Sequence, residues 1–449
     1  MKKLTVSSLL AIAATSGAVN YPVVDSGQTT AYGEHAGQDA CYAANAPSYK
    51  DNGDGTITDR VTGLMWTKDP GEKMTFADAL KNAAKRRDGG HTDWRLPSIK
   101  ELYSLMNFNG VDPDPRSTET GDLTPFIDNS VFNFEYGDTT KGERIIDSQF
   151  ATSTLYTSTT MGGNETMFGV NFADGRIKGY PVKSPRGEKT YHVLYVRGNP
   201  EYGKNDFRDN DDGTISDAAT GLTWMKTDAG EGMDWPSALA YAEGMEFAGH
   251  SDWRLPTTKE LQSLVDYSRS PDTTDSAAID PMFESTAITN EGGQKDYGQY
   301  WSSTTHVGAR STDRAAYVCF GRGLGYLRGN WMDVHGAGCQ RSDSKTGDIA
   351  DYPKSHGPQG DVQRLRNFVR LVRGGGAEPV AAEQPSAAKQ APESSNRFMA
   401  REDRDGDGEV SKSEFRGPAE HFDRLDENDD GVISAEEAPT GPPKGRKQS

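Results

Sequence analysis

The chain of 449 residues has three cysteines, no long apolar run and a shortage of positive charge. Three cysteines exclude a disulfide-dense secreted scaffold. No stretch reaches the ~18 consecutive apolar residues that a membrane-spanning helix needs. Lys and Arg number 49 against 67 Asp and Glu, a net charge of −18. That sign repels a phosphate backbone, excludes nucleic acid as a partner and makes cations the natural counter-ligands. Apolar residues make up only 34%, beside 50 Gly and 23 Pro, which favours loop-rich mixed structure over a helical bundle. At ~150 residues per domain the length allows about three domains.

What is present begins with an export signal. Lys2 and Lys3 precede a short, mostly apolar run from Leu4 to Ala14, and Ser16, Gly17 and Ala18 supply small residues for cleavage. Residues 1–18 are therefore expected to be removed and the mature protein to be secreted, periplasmic or on the cell surface; a buried helix is the alternative. In such a compartment Cys319 and Cys339, in one Gly-rich region, are expected to pair, leaving Cys41 over. Closing that loop is worth up to ~3 kcal/mol. Two buried free thiols are the other possibility.

The chain then repeats itself. "YKDNGDGTITDRVTGLMW" (49–66) answers "FRDNDDGTISDAATGLTW" (207–224), and "GHTDWRLPSIKEL" (90–102) answers "GHSDWRLPTTKEL" (249–261). Between them "TFADALKNAAKRRDGGH" (75–91) matches "DWPSALAYAEGMEFAGH" (234–250). Downstream, "YTSTT" (156–160) is aligned with "WSSTT" (301–305), and "YHVLYVRGN" (191–199) with "RNFVRLVRGG" (366–375). The order and spacing define an internal duplication, with repeats at 49–198 and 206–373 after an N-terminal extension at 19–48.

Each repeat reads as short strands around Gly-rich turns with two helices, an α+β unit. Phe76, Leu80 and Ala83 are spaced for one buried helical face. Ser98 with Glu101, and Thr257 with Glu260, fit capping boxes. Leu102, Leu105 and Met106, like Leu261, Leu264 and Val265, then form a buried face, while Pro97 and Pro256 keep the preceding chain extended.

From 374 to 396 the chain has one Val and no other large apolar residue, and reads as a flexible linker. Residues 397–438 form a third unit and 439–449 a disordered tail. In "DRDGDGEVSKSE" (403–414) Asp403, Asp405, Asp407, Glu409, Ser411 and Glu414 hold positions 1, 3, 5, 7, 9 and 12 of an EF-hand loop. In "DENDDGVISAEE" (426–437) Asp426, Asn428, Asp430, Val432, Ser434 and Glu437 do the same. Alternating oxygens wrap a hard cation, Gly at position 6 allows the sharp turn, position 7 offers a carbonyl and the last Glu closes the sphere. Ca2+ is the expected ligand; a solvated acidic loop is the alternative. The loops start 23 residues apart, and Gly417-Pro418 breaks the segment between them. This compact all-α pair resembles dockerin-like and other short bacterial EF-hands, which suits a structural or weak extracellular site.

The repeated blocks TGLMW, DWRLP-x-x-KEL, YTSTT/WSSTT and VLYVRG/VRLVRG resemble the Lcl C-terminal domain family. The resemblance implies a C-type-lectin-like fold, two short helices flanking looped β-sheets in each repeat, and recognition or adhesion, with polysaccharide or a surface protein as partner. Formylglycine-generating enzymes share that fold, but their cysteine pair is not matched by Cys319 and Cys339.

His91 beside Asp93 and His250 beside Asp252 invite an acid/base reading; the alternative is that they pin the loop, with Asp capping amides and Trp94 and Trp253 in the core. Arg95 and Arg254 suit either an anion site or an internal ion pair. Serines in "TSTT" (157–160) and "SSTT" (302–305) carry no adjacent His signature of nucleophilic catalysis, so no enzyme activity is expected. The "DNGDG" and "DNDDG" turns have Thr62 and Thr220 where a twelfth-position acid belongs, and Tyr326 and Trp331 are candidates for sugar stacking or for core packing. The reading is an exported calcium-binding recognition protein. The alternatives are a docking role for the EF-hand pair, or an enzyme on the lectin-like scaffold.

Overall fold

The computed structural model describes residues 19–121, 123–183 and 189–385, and then 402, 409–415, 419–426, 428, 430–434 and 437. The expected export signal, residues 386–396 of the linker, Asp403, Asp405, Asp407 and the tail lie outside the described residues. Two compact units divide the chain, one ending at Glu383 and one starting at Gln384.

In the first unit, each repeat builds the same antiparallel sheet in the same order. Val196–Gly198, Leu64–Thr67, Thr56–Asp59 and Tyr49–Asp51 are neighbours in repeat 1; Val372–Gly374, Leu222–Met225, Thr214–Asp217 and Phe207–Asp209 are neighbours in repeat 2. The register is conserved between copies: Trp66 lies between Ile57 and Val196, and Trp224 between Ile215 and Val372. Alternation along these strands sends both tryptophans inward, where they are fully buried. In the Asn-Gly-Asp-Gly turn, Asp51 Oδ1 accepts from Gly53 N and Asp54 Oδ1 from Thr56 N.

A six-stranded sheet joins the repeats. Its order is Gln299–Thr305, Arg314–Cys319, Gln340–Ser344, Arg176–Pro181, Asn164–Asn171 and Gln149–Thr160, the halves meeting where Gln340 pairs with Ile177. The copies thus form one unit, related by an approximate two-fold axis through that seam. One apolar cluster runs through both, including Leu102, Met106, Leu261 and Val265.

The helices are α1 (Phe76–Ala83), α2 (Ile99–Tyr103), α3 (Trp235–Glu243) and α4 (Thr258–Ser263). α1 buries Phe76, Ala79 and Ala83, while Leu80 is 47% exposed. The expected face is corrected by one position, because Phe76, Ala79 and Ala83 follow the i, i+3, i+7 stripe and Leu80 sits on its flank. Both capping boxes form.

Two further expectations change. "YTSTT" is not the counterpart of "WSSTT". Ser153 N and Ser303 N donate to Pro97 O and Pro256 O, and Ile99 N and Thr258 N donate to Thr154 Oγ1 and Thr304 Oγ1. The true equivalent of Trp301–Thr304 is Ala151–Thr154. Residues 156–160 are an extra strand length that repeats the same Thr/Ser pattern. The start of the linker is also fixed: Glu378–Pro379 pairs with Tyr42–Ala43, and Ala31 N donates to Glu383 O. Backbone pairing orders it without any apolar side chain.

In the C-terminal unit, Glu409–Ser411 pairs antiparallel with Val432–Ser434, Val410 facing Ile433. These two pack with Phe422 around one small core. The unit therefore carries a two-stranded sheet and is not all-α.

Candidate functional site

The DWRLP-x-x-KEL motif proves to be a joint. Trp94 and Trp253 are buried, their Nε1 atoms donating to Asp88 O and Phe247 O. Arg254 grips Glu260 through two bonds of 2.6 Å, and Arg95 grips Glu101 in the same way. These are the internal ion pairs. The same glutamates accept from Thr257 N and Ser98 N, so one carboxylate closes the cap and holds the arginine. Asp93 and Asp252 pair with Arg197 and Arg373, each at 2.7 Å. Those hydrogen bonds, above all, hold both carboxyls below the usual range. His250 is exposed and His91 half-buried, and neither aspartate is bonded to its histidine.

The motif lysines cross the two-fold axis. Lys100 Nζ donates to Ser263 O at the end of α4, and Lys259 Nζ donates to Ser104 O at the end of α2. Each repeat's lysine satisfies the last carbonyls of the other's helix. Burial pulls both ammonium groups down to about 8. Here the duplicated motif explains itself: tryptophan and leucine fill the core, arginine and glutamate lock the cap, and lysine fastens one copy to the other.

Beside each joint lies a cleft, and the two clefts differ. The repeat 2 cleft is filled by the N-terminal extension. Ser26 O accepts from Phe108 N; the Gln28 amide bonds both N and O of Thr305. Asp39 accepts from Ser26 Oγ at 2.8 Å and from Thr304 Oγ1. The Tyr42 ring lies over the Arg254 guanidinium at 5.5 Å, its hydroxyl on Glu243. About 10 Å³ of free space remains. Asp39 is buried, and desolvation raises its carboxyl to about 7, with nearby Asp25 adding to the effect.

The repeat 1 cleft is open, at about 580 Å³. Arg95, Thr154 and Tyr267 line it, the counterparts of Arg254, Thr304 and Phe108, with Tyr202 and Lys204 from the inter-repeat connection. Thr154 Oγ1 accepts from Ile99 N and donates to no group among the described residues. Leu155, the counterpart of buried Thr305, is 44% exposed. The Asp39/Tyr42 plug was not legible in the sequence, because nothing in "GQDACYAA" has periodicity or motif spacing.

The other expected site residues fall in three places. Cys319 and Cys339 are buried thiols directly opposite one another, Cys319 N donating to Cys339 O at 2.9 Å. Tyr326 is 44% exposed and stands 5.2 Å from Trp331 across a hairpin found only in repeat 2. In the C-terminal unit, Gly431 N and Asp430 N donate to the Asp426 carboxylate, and Asn428 N and Ser434 N to that of Glu437, at 2.9–3.2 Å. Ser411 N and Oγ donate to Glu414 Oε2 at 2.9 and 2.7 Å. Glu409 pairs with Ser434, and Val432 with Ser411. Among the described residues no three acids, histidines or cysteines are gathered as a metal cluster. No helix there is long and apolar enough to cross a membrane.

These features define a tandem-repeat protein whose two copies share one sheet and differ in one cleft. The family model of the Lcl C-terminal domain matches residues 55–197 and 213–335, more than half of the chain, and the chain belongs to that family. The structural repeat runs past the second match, since Val372–Gly374 completes its sheet. No curated protein and no solved structure matches the chain.

Proposed function

We propose that this is an exported calcium-binding recognition protein on a lectin-like scaffold, and that repeat 1 presents its binding cleft. The observation that carries this reading is the asymmetry between the copies: one cleft is filled by the chain itself and its twin, of about 580 Å³, is open. A purely structural duplication has no use for one empty cleft. Thr154→Arg, which fills the cleft from its wall, is expected to abolish binding of the protein to sulfated polysaccharide or cell-envelope material at an unchanged melting temperature. Undiminished binding by that variant would place recognition elsewhere.

The calcium reading rests on donor chemistry. In the second loop, Asp426, Asn428, Asp430, Ser434 and Glu437 supply hard oxygens, and backbone donors already orient the Asp426 and Glu437 carboxylates. Bound there, Ca2+ would neutralise acids that otherwise repel one another. The first loop's Asp403, Asp405, Asp407, Glu409, Ser411 and Glu414 follow by spacing. Calorimetric titration of the full chain is expected to give two binding events, one lost in Glu414→Gln and the other in Glu437→Gln. Calcium binding that survives in the double variant would move the metal into the repeats. The dockerin-like alternative is favoured by the separateness of the unit that starts at Gln384. It requires calcium-dependent capture of a partner that Thr154→Arg leaves intact.

Export also bears on the cysteines. Cys319 N donates to Cys339 O while Cys319 O accepts from Gly338 N, so the two cysteines stand side by side at the bulged end of the pairing, with their thiols in contact. Cys319 and Cys339 are therefore expected to oxidise together. Denaturing alkylation of protein purified without reductant should label Cys41 alone; labelling of all three would show that the pair stays reduced.

A further inference from the structure

The proposed recognition cleft has a template for its ligand inside the same molecule, and the inference below rests on that reading. The two clefts are built from equivalent parts. Thr304 and Thr154 each accept from the first amide of the following helix, at 3.0 and 2.9 Å. Arg254 and Arg95 are each locked to the glutamate of the same motif. Whatever suits one pair of groups therefore suits the other.

In repeat 2 the occupant is a polypeptide turn. Asp39–Cys41 is a single 3-10 turn that sets an acid and, three residues on, a tyrosine on one side. The acid takes the Thr304 hydroxyl and the tyrosine covers Arg254. In repeat 1 the Thr154 hydroxyl proton has no acceptor among the described residues, and the Arg95 side chain is 37% exposed against 4% for Arg254. The edge strand is uncovered at the same level: Gln28 closes both backbone groups of Thr305, whereas Leu155 projects to solvent.

We propose that the repeat 1 cleft binds a segment of another protein carrying an acidic residue followed three positions later by an aromatic one. The acid would accept from Thr154 and the ring would stack on Arg95, whose planar guanidinium suits stacking and cation–π contact with an aromatic face. A second copy does not supply the segment, because Asp39 is buried within its own chain at 1% exposure.

The test uses a synthetic peptide of residues 36–44 with Cys41→Ser, titrated into the full-length protein and followed by NMR shifts or calorimetry. Two anchored contacts predict a Kd between about 10 µM and 1 mM. Asp39→Asn or Tyr42→Ala in the peptide, and Thr154→Val in the protein, are each expected to weaken binding about tenfold. Thr154→Ser should restore it, which separates the hydroxyl from any effect of Thr154→Val on folding. No shifts at about 1 mM peptide would overturn the inference. So would binding that responds to Thr304→Val and not to Thr154→Val, since the peptide would then be exchanging with the plug. If the peptide fails while a sulfated polysaccharide binds and is lost in Thr154→Arg, the cleft stands and its ligand is a sugar. If neither is sensitive to Thr154, the cleft reading falls as well.

Discussion

Arg254→Met is expected to destabilise the protein by about 3–5 kcal/mol, and Arg95→Met by about 1–2 kcal/mol, although the two arginines hold identical places in the motif. Burial decides the difference. The Arg254 and Glu260 side chains are 4% and 7% exposed, and removing the guanidinium strands a buried carboxylate without its partner. Arg95 is 37% exposed, so water reaches Glu101 once the arginine is gone. The repeat 2 variant also loses the platform under Tyr42 and with it part of the plug. Urea unfolding followed by tryptophan fluorescence measures both. Adding Glu260→Gln to Arg254→Met should return a large share of the loss, because the stranded charge goes while the cap acceptor stays. Equal losses in the two single variants would mean that the N-terminal extension does not seal repeat 2 as described.

That contrast marks the boundary of what the sequence discloses. The duplication, the capping boxes, the buried leucines after them and the tryptophan strands all follow from local pattern, and local pattern is what a sequence displays. Pairing of Arg95 with Glu101 was within reach for the same reason, six residues being one turn and a cap apart. The alignment of "YTSTT" with "WSSTT" failed where the pattern is degenerate. Thr-Ser-Thr occurs at 152–154 and again at 157–159, and only the bonds to Pro97 O and from Ile99 N fix which of them matches repeat 2.

The candidate cleft was least legible. Its walls come from segments over a hundred residues apart, as in Lys100 meeting Ser263 and Asp25 meeting Lys259. The plug has neither helix nor strand period to betray it. Composition pointed the other way at residues 377–383, where backbone pairing to the extension orders a segment that has almost nothing to bury. The two-fold relation between copies is visible in the sequence as a repeat; the breaking of that symmetry by residues 25–44 is not.

The plug should also give the stability a pH dependence of definite sign. Desolvation lifts the Asp39 carboxyl from 3.8 to about 7 in the folded chain, Asp25 pushing the same way and the Thr304 and Ser26 hydroxyls opposing. The folded state therefore binds more protons than the unfolded state between those values. Its contribution is fully present below about pH 4 and is lost as pH rises through about 7. The rise from 3.8 to about 7 corresponds to a loss on the order of 4 kcal/mol at the upper end. Asp39→Asn keeps the shape of the side chain and cannot ionise. Relative to that variant, the wild type should be equally or more stable near pH 4 and progressively less stable towards pH 8, in denaturation series run at both ends. Glu260 and Asp25, the other acids that face this site, are unchanged in the variant, so the difference curve reports Asp39 alone. Parallel curves would show that Asp39 stays ionised in the fold, held by its two hydroxyl donors. The acid that a ligand brings to Thr154 should then be bound as a carboxylate, and peptide affinity should not rise as the pH is lowered.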